Sequence, residues 1–262
     1  MPEPAELAAE PSGVKSARRT VELLETFAAQ DAWLSLSDLH AQTGFPRSSL
    51  HGLLRTLYEA GWLEADPGTA RYRLGVQALI CGTAYLDRDP AIPHATETLE
   101  TIRERTGFTA HYARRNGAEV VYLETRESRH STHLVSRVGR TLPVHATALG
   151  KALLAELTQD EIRALFAGPL RQLTPNTITS LDDVLAECDT TRQRGFAAEV
   201  EEGTPGVRCV AAVVPYRIPG TDAISCSLPV DQVTDEQVRH LGELLAETAA
   251  ELGQRLRRAG IR

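Results

Sequence analysis

Several residue types that mark particular classes of protein are scarce in this chain of 262 residues. Its four cysteines show no CxxC spacing, so neither a zinc site nor a disulfide framework is expected. There is no run of about 18 apolar residues, and we therefore expect no transmembrane helix. The start, MPEPAELAAEPSG, lacks the basic-then-apolar order of a signal peptide. These absences predict a cytoplasmic protein with a disordered leader over residues 1–13.

An excess of positive charge is also absent, since the formal net charge is −7. Net charge alone does not exclude a nucleic-acid partner, because a local basic patch is what steers a protein to DNA. Between Val14 and Gly75 the basic and acidic residues are equal in number. The positions of the charges, and not their sum, therefore decide the interpretation.

What the first quarter does contain is a helix, a short helix, a tight turn, a third helix and a hairpin. Ser16 and Ser37 are the expected N-caps of the first two helices, and Gly44 ends the second. The third helix runs from about 47 to 60, and a DPG turn then joins two short extended runs. This order is typical of a winged helix-turn-helix, here expected over residues 14–73.

The third helix has an apolar face and a basic face. Its apolar face is a stripe of leucines at helical spacing, Leu50, Leu53, Leu54 and Leu57. On the opposite face, Arg47, His51 and Arg55 follow one another at steps of four. An amphipathic surface helix that binds nothing has the same pattern, but a recognition helix enters the major groove with its N-terminus first, where Arg and Ser donate to phosphates or base edges. The candidate contacts to a double-stranded DNA operator are Arg19, Arg47, Ser48, Ser49, His51, Gly52, Arg55, Arg71 and Tyr72.

Residues 74–88 form a connector that is apolar on nearly all sides from Leu74 to Leu86. A helix of this kind needs cover on more than one side. We therefore expect a linker helix buried against a second subunit, in a homodimer or a dimer of dimers.

The remaining residues, 89–262, alternate between helices and hairpin-linked strands, which predicts an α+β sensor-like domain. Asn116-Gly117 marks one hairpin, and STHLVSRV is a further expected strand. After Pro143 the motif ATALGKALLA begins a helix, whose first backbone amides have no intrahelical partner and favour an anion. Close packing of small residues is the alternative explanation for this motif.

The blocks SARRTVELLETF, LSLSDLHAQTGFPRSSLHGLLRTLYEAGWLEAD and YRLG, followed by LPVHATALGKALLA and EEGTPGVRCVAAVV, resemble the IclR family of bacterial transcription regulators. The resemblance extends over nearly the whole chain after residue 13. It implies an N-terminal winged helix-turn-helix, a linker helix, and a C-terminal GAF-like α+β domain with an antiparallel sheet. That domain would bind a small organic-acid effector and no cofactor. The chain departs from the family at Gly52, where a larger and commonly basic side chain is usual.

The resemblance also implies the residues that hold the effector, with its carboxylate at the start of the ATALGKALLA helix. They are Ala148, Leu149, Gly150, Glu199, Val207, Cys209, Ser225 and Ser227. Ser225 and Ser227 alternate on one face of a strand, as a shared pocket requires. Glu199 stands where the family often has Asp, and beside an anion we expect it to bind a hydroxyl or to carry a proton. Ordinary strand burial is the alternative for the serines and Cys209.

Three other classes of function were weighed against a transcription regulator. Cys209 and His145 could form a nucleophile–base pair, but no local motif supports an enzyme. His130 and His133 are of metal-ligand type, without an accompanying cluster. A sensor that acts through protein partners without DNA is the main alternative, and salt-dependent retention on DNA distinguishes it. The sequence predicts a DNA-binding transcription regulator, not an enzyme, whose operator affinity is modulated by the effector.

Overall fold

The computed structural model describes residues 13–128, 138–166 and 168–262. The chain divides into two compact units, one that ends at Arg88 and one that spans Asp89–Arg262. Across the described ranges, no helix is long and apolar enough to cross a membrane. The leader predicted over residues 1–13 lies outside the described residues, except for Gly13.

The first unit has the element order of a winged helix-turn-helix, which confirms the prediction. Its elements are α1 (Lys15–Ala28), β1 (Leu34–Ser35), α2 (Leu36–Thr43), α3 (Arg47–Glu59), β2 (Leu63–Asp66), β3 (Arg71–Leu74) and α4 (Val76–Arg88). The strands form an antiparallel sheet in the order β1-β3-β2, and the hairpin of β2 and β3 is the wing. Strand β1 was not predicted, because its two residues are too few to show a period.

Both predicted N-caps of the first two helices were wrong. Helix α1 begins two residues earlier than predicted, with Val14 as its N-cap, since the amide of Arg18 donates to the carbonyl of Val14 at 3.1 Å. Helix α2 is capped by Ser35, whose hydroxyl accepts from the Asp38 amide at 3.2 Å while the Asp38 carboxylate accepts from the Ser35 amide at 2.8 Å. This reciprocal capping box satisfies two amides at once and outcompetes Ser37. Gly44 ends α2 with a φ of 67°, as predicted.

A leucine-rich core positions α3 within the first unit. Leu50 and Leu54 of α3 are buried against Leu23 of α1 and Leu39 of α2, and Leu53 packs at the edge of the cluster. Full burial of one leucine side chain contributes roughly 1.5–3 kcal/mol. The leucine stripe therefore fixes which face of α3 points inward, and it leaves the basic face outward.

Helix α4 buries none of its side chains within the described chain. Val76, Leu79, Ile80 and Tyr85 are each more than half exposed, and Leu79 reaches 64%. The helix is as apolar as the sequence indicated. That a second subunit covers it stays a prediction.

The second unit is the predicted α+β domain with an antiparallel sheet. Its elements are α5 (Ala91–Thr106), β4 (Thr109–Asn116), β5 (Glu119–Arg126), β6 (Thr141–Pro143), α6 (Ala148–Leu154), α7 (Gln159–Leu165), α8 (Leu181–Arg194), β7 (Ala197–Val200), β8 (Val207–Val213), β9 (Asp222–Pro229) and α9 (Asp235–Arg258). The six strands pair in the order β6-β5-β4-β9-β8-β7. The hairpin at Asn116-Gly117 is confirmed. The strand predicted over residues 131–138 lies outside the described residues, except for Val138.

The sheet of the second unit is covered on both faces. Helix α6 packs against β7, β8 and β9, and the residues of β8 that meet it are Cys209, Ala211 and Val213. Val210 and Ala212 alternate to the opposite face, where α9 and α5 pack. The face below α6 is therefore the one that can enclose a ligand between helix and sheet.

A buried ionic network joins β4 to β9. Arg114 and Asp222 lie directly opposite each other, and Nε and Nη2 of Arg114 each donate to an Asp222 carboxylate oxygen at 2.7 Å. Arg114 also donates to Asp89 at 2.5 Å, and the hydroxyls of Tyr112 and Tyr216 donate to Asp222. Burial alone would raise the pKa of Asp222, but the hydrogen bonds and charge of Arg114 outweigh it and lower that pKa.

Candidate functional site

Helix α3 presents a polar face to solvent along its whole length. Arg47, Ser48, His51 and Arg55 are exposed, and all four were predicted to contact DNA. Gly52 lies among them, and a Cβ built on it meets no atom within 4 Å. The position therefore has room for a side chain, and glycine is not required there by packing within the described chain.

Arg19 of α1 is fixed beside the start of α3. Its Nη1 donates to the hydroxyl of Ser49 at 3.1 Å, and its guanidinium lies 5.0 Å from the centre of the Phe45 ring. Two predicted DNA contacts, Arg19 and Ser49, are thus brought together by a contact that the sequence does not announce. The arrangement adds a positive charge at the N-terminal end of α3.

Arg55 is paired within its own helix. Its Nε donates to Glu59 at 2.8 Å, and the two side chains are 73% and 59% exposed. An exposed pair of this kind contributes about 0.3–0.5 kcal/mol. It is therefore weak enough for Arg55 to exchange Glu59 for a phosphate.

The wing separates its predicted residues onto two faces. Arg71 is exposed, whereas Tyr72 packs against the hydrophobic core of the unit, which differs from its prediction as a surface contact. Arg73 lies on the same face as Arg71, donates to Glu64 at 2.8 Å and stacks 4.5 Å above Trp33. The alternation of exposed and half-buried residues in RYRL is the signal that could have found Arg73.

A cavity of about 110 Å³ lies between the sheet and the start of α6 in the second unit. It includes every predicted effector residue except Gly150. Its lining residues are His111, Tyr122, Arg140, Leu142, Thr147, Ala148, Leu149, Glu199, Gly203, Thr204, Val207, Cys209, Ser225 and Ser227. The residues that the sequence analysis missed come mainly from β4, β5 and the segment before α6.

A row of polar side chains crosses the cavity floor from β4 to β7. His111 Nε2 lies 3.1 Å from the hydroxyl of Ser227, and that hydroxyl lies 3.4 Å from the sulfur of Cys209. Cys209 is the register partner of Glu199 on β7, and its thiol hydrogen-bonds to the Glu199 carboxyl group. The strand order thus aligns four residues that are far apart in sequence.

The start of α6 faces this row from above. Thr147 is the N-cap, and its hydroxyl accepts from the Gly150 amide at 3.0 Å. Ala148 and Leu149 carry the first two amides of the helix, which have no carbonyl partner within it. Gly150 was predicted to bind the effector, but its amide already donates to Thr147. A Cβ at this position would lie 2.1 Å from the carbonyl oxygen of Val144, so glycine is needed there for close packing of the backbone.

The two titratable groups at the ends of the polar row are both neutral near pH 6. Burial lowers the pKa of His111 to about 4, and the charge of Arg140 lowers it further. Burial also raises the pKa of Glu199 to about 7, although its carboxylate accepts from the Glu202 amide at 2.7 Å. Protonation of Glu199, one of its two predicted states, is consistent with this environment.

Lys151 does not line the cavity. It is 1% exposed, and its Nζ lies 2.5 Å from a carboxylate oxygen of Glu202. This ion pair compensates the charge of the buried lysine.

The geometry does not assemble the alternative enzyme or metal sites. His145 directs Nε2 to the carbonyl of Arg171 at 2.9 Å, and Cys209 contacts Ser227 and Glu199 instead. Burial raises the pKa of Cys209 well above its usual value, which favours the unreactive thiol. Among the residues that the structure describes, no three His, Cys, Asp or Glu side chains are grouped for a metal ion. His130 and His133 lie outside those residues.

Comparisons with known proteins identify relatives of both units. Residues 16–67 match the IclR helix-turn-helix domain, and residues 83–254 match the C-terminal domain of bacterial transcriptional regulator IclR. The chain is 33% identical over 245 residues to the HTH-type transcriptional regulator XynR of Escherichia coli, covering 93% of this chain and 97% of that protein.

Solved structures share the fold. An IclR transcriptional regulator from Alicyclobacillus acidocaldarius matches with a TM-score of 0.80 and 24% identity, over 93% of this chain and 99% of that one. An IclR homologue from Microbacterium hydrocarbonoxydans, complexed with 4-hydroxybenzoate, matches with a TM-score of 0.75 and 23% identity, over 93% and 99% of the two chains. At these identities the likeness concerns the fold.

Proposed function

Because the chain belongs to the IclR family of bacterial transcription regulators, we propose that it binds operator DNA with an affinity that a small organic acid changes. Residues 14–73 bind the DNA and 74–88 form the linker helix. Residues 89–262 bind the effector and assemble the oligomer. A regulator with these roles works in the cytoplasm.

The exposed polar face of α3 supports DNA binding by the first unit. Arg47 and Ser48 lie at the helix start, Arg55 lies two turns on, and Arg71 and Arg73 extend the basic surface onto the wing. Binding that replaces counterions on phosphates weakens steeply as salt rises. Retention on heparin or nonspecific DNA should therefore fall sharply between about 50 and 200 mM salt. Salt-independent or absent retention would favour the alternative, a sensor that acts through protein partners.

The cavity supports an acid effector, and its composition is the observation that carries this part of the proposal. All the predicted effector residues except Gly150 line one cavity. The amides of Ala148 and Leu149 take the carboxylate, and Ser225 and Ser227 bond the other polar end of the ligand. The homologue crystallised with 4-hydroxybenzoate, a carboxylic acid, is in keeping with this ligand class.

The test is a screen of organic acids by thermal shift and by operator binding. The variant Leu149→Pro deletes one amide donor, Leu149→Ala is its matched control with the amide kept, and Ser225→Ala removes a hydroxyl. An acid that stabilises the wild type and changes operator binding should stabilise Leu149→Ala but not Leu149→Pro, and should act weakly on Ser225→Ala. Equal stabilisation of all variants would place the effector elsewhere. An effector can change the affinity for DNA only if it binds the DNA-bound state and the free state of the protein with different affinities.

The exposed apolar face of α4 supports assembly into a dimer or a dimer of dimers. Exposed Val76, Leu79 and Ile80 lie on adjacent turns, where a second copy would remove them from water. A dimer also suits a two-fold operator with half-sites separated by whole helical turns. Light scattering at micromolar concentration should give at least twice the mass of the chain. A monomer that still binds its operator would contradict this part of the proposal.

A further inference from the structure

One arginine, Arg140, lines the cavity but is not among the residues proposed to hold the effector. Arg140 precedes β6, and its backbone carbonyl accepts from the Tyr122 amide at 3.0 Å, which places it beside β5. Its side chain lines the cavity together with His111 and Tyr122, and its positive charge lowers the pKa of both groups. For Tyr122 this effect opposes that of burial, which raises the pKa. Arg140 therefore lies at the β4–β5 end of the polar row.

The charge of Arg140 is not compensated by any residue that the structure describes. Its guanidinium has no hydrogen bond or ion pair with any residue of the described ranges, and it is the one lysine or arginine among the described residues that line the cavity. His111 is neutral above about pH 4 and Glu199 below about pH 7. Below about pH 7 the cavity thus has a positive charge at one end and no described anion opposite it.

The start of α6 and Arg140 are separated across the sheet. Helix α6 packs mainly over β7, β8 and β9, whereas Arg140 is bonded to β5. Neighbouring strands lie roughly 4.8 Å apart, so two strand spacings, from β5 to β9, measure about 10 Å. One carboxylate at the amides of Ala148 and Leu149 leaves Arg140 without an anion. A ligand with an anionic group at each end satisfies both positions.

We infer that Arg140 binds a second carboxylate of the effector, so that the cavity selects dicarboxylates over monocarboxylates of the same length. The inference rests on the proposed effector function of the cavity. The cavity, at about 110 Å³, is smaller than the apolar cavity of about 150 Å³ that holds benzene, so the shortest flexible diacids, of roughly four or five carbons, are the ones to test. A guanidinium binds a carboxylate through two parallel N–H donors, which gives direction as well as attraction.

The experiment compares matched acids by isothermal titration at about 150 mM salt. The pairs are succinate with butyrate, and glutarate with valerate. The proteins are wild type, Arg140→Gln, Arg140→Lys, and Arg239→Gln. The last variant makes the same charge change on α9, which packs on the opposite face of the sheet. Because both arginines are exposed, thermal denaturation should show all variants folded.

We expect wild type and Arg239→Gln to bind the diacids at least about tenfold more tightly than the monoacids, the effect of one charge-assisted contact. Arg140→Gln should reduce diacid affinity to that of the monoacid, and Arg140→Lys should restore part of the difference. Equal affinity for the two classes in wild type, or equal losses of both in Arg140→Gln, would overturn the inference and leave the effector proposal standing. If no organic acid binds the wild type at all, the proposed effector function is itself wrong.

Discussion

The two units hold their charged side chains in different ways. In the first unit, Arg55 and Glu59 pair on the surface of α3 with both side chains more than half exposed. In the second unit, Asp222 is fully buried and accepts two hydrogen bonds from Arg114. An exposed pair contributes about 0–1 kcal/mol, whereas loss of one partner from a buried pair costs about 3–5 kcal/mol.

This difference matches what each unit is proposed to bind. A surface that reads DNA must exchange its own partners for phosphates and base edges, and weakly paired arginines do so at little cost. A cavity that recognises one small acid must keep its walls in place, and strong buried contacts around its sheet serve that purpose. The following substitutions test whether the two units respond as differently as their contacts imply.

The largest effect is expected from Asp222→Asn. The change keeps the shape of the side chain but removes the buried charge that pairs with partly buried Arg114. We expect the free energy of unfolding to fall by about 3–5 kcal/mol, measured by denaturant titration. Glu59→Gln, the matched loss of a carboxylate in the first unit, should change it by less than about 0.5 kcal/mol. Similar effects of the two substitutions would show that the ion pairs of the two units stabilise the fold to the same extent.

The next effect is a pH dependence of stability that originates at Glu199. The folded pKa is about 7 and the ordinary value is 4.5, so the folded state keeps this proton where the unfolded state has lost it. Stability from this group is complete below about pH 4.5 and is lost as pH rises through about 7, an amount of roughly 3 kcal/mol. Unfolding measured at pH 5 and pH 8 should show this loss in wild type and not in Glu199→Gln. The same loss in both proteins would assign it to another group.

A smaller effect concerns the first unit. Arg47→Ala should weaken specific operator binding by about 1–3 kcal/mol if Arg47 reads a base. If it touches only phosphate, specific and nonspecific binding should weaken together and the salt slope should flatten by about one unit. Gel-shift titrations over a salt series distinguish the two cases. Unchanged affinity for both kinds of DNA would show that α3 does not enter the groove.

The smallest effect is a gain in stability from Gly52→Ala. The added methyl group meets open space, and alanine is favoured over glycine within a helix by about 1 kcal/mol. Thermal unfolding of the variant should therefore occur at a higher temperature. The operator affinity of the same variant tests whether close approach of α3 to DNA requires glycine. If it does, the added methyl group lies in the interface and should weaken binding. A loss of stability would mean that the helix is strained at this position.

The sequence predicted α3 well because one periodic pattern encodes both of its faces. The four leucines mark the buried stripe, and the residues between them face outward whatever the details of packing. The wing was less predictable. Tyr72 was predicted to contact DNA, yet the two-residue period of a strand places its side chain on the core side and turns Arg71 and Arg73 outward.

The cavity could be predicted only in part, and mainly through family resemblance. Ser225 and Ser227 share a face by simple alternation, but their proximity to His111 depends on the pairing of β4 with β9. Those strands are more than a hundred residues apart in sequence, and no local signal indicates which strands are neighbours. Arg140 was missed for the same reason, since its position depends on the bond to β5.

The Arg114–Asp222 pair has a consequence for how the folding chain chooses among alternative strand alignments. A slip of β4 against β9 by one residue that placed Asp222 opposite Ala113 would leave this buried carboxylate beside an apolar neighbour, at a cost of several kcal/mol. The same slip would turn His111 away from Ser227 and onto the wrong side of the sheet. The Arg114–Asp222 pair, which lies outside the cavity, thus favours the strand register that brings the cavity side chains together. Those side chains are therefore in position before a ligand binds.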